Sequence, residues 1–85
     1  MSDGVTVVFE ANCHQPGRVM ASVWLFPGRI ASTIGDSEED LSSFPGARRV
    51  VGPVEFSIAE QAFKSITETL KTAGIPYDET DAADD

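Results

Sequence analysis

Apolar residues in this chain alternate, run together or recur every three to four positions, and each pattern predicts a different element. The first run, VTVVFE at 5–10, is β-branched and aromatic and reads as a strand. After the turn segment ANCHQPG, the run RVMASVWLF at 18–26 gives the most apolar strand of the chain. One of its faces carries Val19, Ala21, Val23 and Leu25, and the other carries Met20, Ser22, Trp24 and Phe26. Both faces are mostly apolar, so this strand is predicted to be central and covered on both sides. The alternative is a helix over one face and a partner over the other.

Pro27-Gly28 turns the chain into RIASTI at 29–34, read as a third strand. The stretch GDSEEDLSSF at 35–44 predicts a loop with one or two helical turns. Asp36 is placed to cap it, and Leu41 and Phe44 to pin it to the core. ARRVVGPVEF at 47–56 gives a fourth strand, which Gly52-Pro53 marks as bulged or at an edge. The helical pattern in SIAEQAFKSITETLKTAGIP, 57–76, is the clearest in the chain. Ser57 and Glu60 match a capping box, while Ala59, Phe63, Ile66, Leu70 and Ala73 form an apolar stripe widened by Ile58 and Ala62. Gly74 is placed to end the helix in a Schellman turn.

These elements predict an α+β fold in the order β-β-β-short α-β-α. The C-terminal amphipathic helix covers one face of a four-stranded, mostly antiparallel sheet. Residues 1–77 are expected to form the single domain, and 78–85 an acidic, disordered tail. Each of the three Pro-Gly pairs, at 16–17, 27–28 and 45–46, precedes a predicted strand. They are read as turn chemistry, because the shared stretch is far shorter than the ~20 residues of a repeat unit.

Composition narrows the function. A chain of 85 residues forms a small domain with a thin core, suited to a shallow groove or a binding face. The net charge is −8, and residues 75–85 hold five of the 14 acids and no base. Direct nucleic-acid binding is therefore not expected, and a protein partner with a basic surface is. No basic, apolar leader and no membrane-spanning run is read in the sequence, so a cytoplasmic location is expected.

The chemical candidates are few. Cys13 and His14 are each the single residue of their type, and neighbours in an extended chain point to opposite faces. A polar turn accounts for them better than a nucleophile and its base. Two such ligands do not make a structural zinc site, and DSEED at 36–40 lacks the glycine and distal glutamate of a calcium loop. No phosphate loop or nucleophile elbow is present. Neither cofactor nor metal is expected, and the chain is read as non-enzymatic.

What remains is the sheet surface. Met20, Trp24 and Phe26 on the second face of the central strand, or else Val19, Val23 and Leu25 on the first, have no predicted cover and are the expected interaction surface, and the edge strand at 47–56 offers a second route by pairing with another chain. Asp36, Glu38, Glu39 and Asp40, with the acidic segment at 78–85, would steer it to a basic protein. A second copy of the chain is the other expected occupant. A sharper form is an inhibitor that occupies the basic nucleic-acid-binding surface of its target. In size and charge the chain resembles phage-borne or mobile-element antagonists of that kind. The alternative function is a small regulatory domain that binds an anionic ligand through Arg18, Arg48 and Arg49.

Overall fold

The computed structural model describes residues 4–15, 18–36 and 41–84. Four strands and two helices follow in the order β1 (Val5–Gln15), β2 (Arg18–Pro27), α1 (Ala31–Asp36), β3 (Arg48–Glu55), α2 (Phe56–Ala73) and β4 (Tyr77–Asp84), with a single 3-10 turn at Leu41–Ser43 before β3. The strands lie side by side as β3-β2-β1-β4. β1 pairs antiparallel with β2, and β2 antiparallel with β3. β4 pairs parallel with β1, from Val5↔Tyr77 to Asn12↔Asp84. The sheet is therefore mixed rather than mostly antiparallel, and α2 is the crossover that connects its two outer strands.

β2 is central and covered on both faces, as its two apolar faces require. Val7, Ala21, Val23 and the helix residue Ala59 form the buried cluster beneath α2. Val8, Trp24, Phe26, Ile34 and Leu41 form a second cluster on the opposite face. Ile30, Phe44 and Ala47 close over that second cluster, so the chain between β2 and β3 supplies its cover.

Two predicted elements differ. Where 29–34 reads as a strand, residues 31–36 are helix. Ile30 and Ile34 are four apart, a spacing that suits either a strand face or a helix face. Thr6 decides between them. Its buried Oγ1 accepts the Ile30 N–H at 2.8 Å and donates to the Gly28 carbonyl at 2.7 Å. The chain is thereby turned off the end of β2 and onto the second face, where the Ile34 N–H reaches the Ile30 carbonyl at 3.0 Å.

The other difference is at the C-terminus. Tyr77–Asp84, which the acidic composition marks as a tail, is the fourth strand. Acids are poor strand formers. β1, however, is buried on both faces, at Val7 on one and at Thr6 and Val8 on the other, and is paired on its first side by β2, so its second side needs a ladder partner. β4 fills that place. β3 is at an edge as predicted, and the β2–β3 register slips between Ala21 and Val23 and again between Val23 and Trp24, near Gly52-Pro53.

α2 starts one residue before the predicted Ser57. Its N-cap is Glu55, with no side-chain capping bond, so Ser57 and Glu60 do not form the expected capping box. β3 runs directly into the helix, and Phe56 packs edge-on against Phe9 with ring centroids 5.1 Å apart. That contact fixes the start of α2 in place of a polar cap. The far end matches prediction. Gly74 adopts φ 75°, its N–H reaches the Lys71 carbonyl, and the Ile75 N–H reaches the Leu70 carbonyl at 2.9 Å. Along the buried stripe Thr67 is an addition. It is tolerated because its hydroxyl donates to the Lys64 carbonyl at 3.0 Å. Ala73 and Ile58, placed on the stripe by sequence, are exposed.

Ser22 is buried in the middle of β2, and its hydroxyl has no hydrogen-bond partner among the described residues. A buried unpaired hydroxyl costs ~1–3 kcal/mol on mutational scales. Ser22→Ala is expected to raise stability by about 1 kcal/mol in chemical denaturation, since alanine removes the stranded oxygen and leaves a small void.

Candidate functional site: a groove between the helix and the outer strand

Two of the residues expected to form an open interaction face, Trp24 and Phe26, are in the protein's own core. Trp24 is 9% exposed and Phe26 1%, beneath Ile34, Leu41 and Phe44. The Trp24 indole N–H donates to Glu10 Oε1 at 3.0 Å, and the Arg49 guanidinium lies 5.5 Å from the indole centroid. Met20, further along the same strand, is half-buried. At Trp24 and Phe26 the expected uncovered face is thus replaced by an internal layer, of which Met20 is not a member. The sequence signal for that cover is Ile30, Ile34, Leu41 and Phe44, four apolar residues in an otherwise polar connection.

Asp36 ends α1 rather than starting a capped turn, and Glu38, Glu39 and Asp40 lie outside the described residues. The arginine cluster is separated by the strand register. Arg18 begins β2, whereas Arg48 pairs with Leu25 near its other end. Seven residues of strand correspond to about 23 Å. Arg48 and Arg49 are consecutive in β3, and Arg49 is turned to Trp24. Arg29 pairs instead with Asp78 of β4, at 3.2 Å. The side chains of Cys13 and His14 lie outside the described residues. Among the described residues, no three His, Cys, Asp or Glu side chains gather as a metal site. No helix among the described residues is long and apolar enough to cross a membrane.

An open groove of about 700 Å³ lies elsewhere, between α2 and the β1–β4 side of the sheet. Its origin is the placement of the helix. The sheet residues packed beneath α2 belong to β1, β2 and β3: Val7, Phe9, Ala21, Val23, Leu25, Val51 and Val54. Phe9 and Ala11 of β1 and Phe56, Phe63 and Thr67 of α2 line the uncovered strip. Phe9 meets Phe56 and Phe63 edge-to-face, with centroids 5.1 and 5.8 Å away. Phe56 keeps 39% of its surface exposed.

Strand parity puts charge on this aromatic floor. Tyr77, Glu79 and Asp81 of β4 stand in register with Val5, Val7 and Phe9, the residues of β1 that face α2. Glu79 and Asp81 therefore form one wall of the groove, and Glu60 of α2 faces them across it. Lys64 is the single base among the lining residues. The site is apolar below and acidic above. By sequence Phe63 belongs to the core stripe, against which it does pack, whereas Glu60 reads as a capping residue and Glu79 and Asp81 as a tail. The missing link was β4, which brings the last two beside the first.

Compared with known proteins, the chain matches no family, no curated sequence and no solved structure.

Proposed function

We propose that this chain is a small, non-enzymatic interaction module that binds a protein partner of basic character through the α2–β4 groove. The observation that carries the reading is the pairing of an aromatic floor, with Phe56 exposed and Phe9 and Phe63 half-buried, with the carboxylates of Glu60, Glu79 and Asp81. A net charge of −8 adds a long-range field of the same sign. Lysine and arginine suit such a site because their alkyl stems lie on apolar surface while their charged heads reach the rim. Aromatic faces attract the same cations. A sharper form of the reading is an inhibitor that covers the nucleic-acid-binding surface of its target, since that surface must be basic.

The test uses two fluorescent ten-residue peptides, one alternating lysine with valine or threonine and the other with glutamate in place of lysine. The lysine peptide is expected to bind, and to lose about tenfold in affinity between about 50 and 300 mM salt. The combined Glu79→Lys and Asp81→Lys variant is expected to weaken it by a similar factor. Both carboxylates are exposed, so the variant's fold should be unaffected. Equal binding of the two peptides, or binding of neither, overturns the proposal.

A further inference from the structure

We infer that the partner supplies an extended basic segment that joins the sheet as a fifth strand along β4, with its lysine or arginine side chains entering the α2–β4 groove. This rests on the reading of the groove as a site for a basic partner, and adds the conformation and the sequence pattern of what occupies it.

β4 is outermost in the order β3-β2-β1-β4, and its pairing with β1 uses one of its two sides. Alternate N–H and C=O groups along the other side point away from the sheet, as on any edge strand. β3, the other edge, is irregular and contains Gly52-Pro53, and proline has no N–H to offer. β4 keeps an unbroken register over eight residues. It is the better template for a new strand.

The side chains of β4 fix the occupant. A strand added outside β4 would lie about 5 Å from it and about 10 Å from β1. Its side chains on the helix side would stand next to Glu79 and Asp81 and reach over the floor at Phe9 and Phe63. Opposite charges across neighbouring strands stabilise pairing, and like charges directly opposite oppose it. A second copy of β4 would bring Asp78, Glu79 and Asp81 against the same acids, so the edge disfavours self-association. A segment with lysine or arginine at every second position satisfies both the ladder and the wall. The acids of β4 thus select between partners as well as blunting the edge.

Backbone methylation separates this mode from simple charge attraction. Two isomers of the lysine–valine peptide carry N-methyl groups on alternate residues, one isomer on the lysines and the other on the residues between. Each loses the N–H donors of one edge only. One isomer is expected to bind at least about tenfold more weakly than the parent peptide, and the other as tightly as the parent, because a strand pairs through one edge. Amide hydrogen exchange in β4 is expected to slow in the complex. Equal affinity of the two isomers overturns the fifth-strand inference while leaving the basic-partner reading intact. Failure of the unmethylated peptide to bind removes both. A salt-resistant dimer that protects the β4 amides without peptide overturns the inference in favour of a second copy.

Discussion

Phe26→Ala is expected to destabilise the isolated protein by about 3–5 kcal/mol, the range for truncating a fully buried phenylalanine. Phe26 is 1% exposed and joins the two parts of the second-face layer. Its ring lies 6.4 Å from that of Trp24 and 5.7 Å from that of Phe44, the latter edge-on. Alanine would remove both contacts and leave a cavity beneath Ile34 and Leu41. A chain of this length has roughly 4–13 kcal/mol of stability in total, so the loss is a large fraction of it. In a domain of this size each kcal/mol moves the midpoint by about 4–8 °C, and a fall of at least about 12 °C in Tm is expected. The measurement is thermal or urea unfolding of the protein alone. It separates two views of this face. If Phe26 served a partner rather than the core, truncating it would change the free protein by less than about 0.5 kcal/mol, as for a surface residue.

The same face shows what the sequence carried and what it concealed. The division of β2 into two apolar faces was legible from alternation alone. That both faces needed cover followed directly. The source of the second cover was not legible, because a six-residue segment with isoleucines four apart satisfies the strand period and the helix period alike. Tertiary context settled it through Thr6, whose hydroxyl holds both Gly28 and Ile30. With 29–34 read as strand, the sheet reaches four members without its real outer strand, and the acidic segment is free to read as a tail. A signal against that reading was present in β1. Val5, Val7 and Phe9 on one face, with Val8 on the other, mark it as an interior strand, and an interior strand needs neighbours on both sides. The groove was illegible for the same reason. Its floor comes from β1 and α2, but its acidic wall exists only once β4 is in register.

Gly4→Ala tests that wall from the opposite end of the strand. Gly4 is buried at φ 91°, and a Cβ there would fall into the backbone carbonyl of Pro76. The positive φ contributes a penalty of order 1–3 kcal/mol in a non-glycine residue. Overpacking against a neighbour that cannot move contributes about 1–3 kcal/mol more. Pro76 is fixed by its carbonyl, which accepts the Val5 N–H at 3.1 Å, and by the ladder that begins at Tyr77. Relief by moving Pro76 would pull β4 away from β1. Relief by moving Gly4 would break its carbonyl's bond from the Gly28 N–H, 2.9 Å long, at the turn that starts the second-face layer. The expected total is about 2–6 kcal/mol, measured by urea unfolding. A loss of only the φ contribution would mean that Pro76 gives way freely and that β4 is loosely held. The folded fraction of the variant is also informative. If β4 is displaced, Glu79 and Asp81 leave the groove, and the lysine peptide should bind at least about tenfold more weakly per folded molecule. Retained affinity in a destabilised Gly4→Ala protein would place the basic-partner site away from β4. Loss of both together ties the acidic strand to the fold and to the site at once.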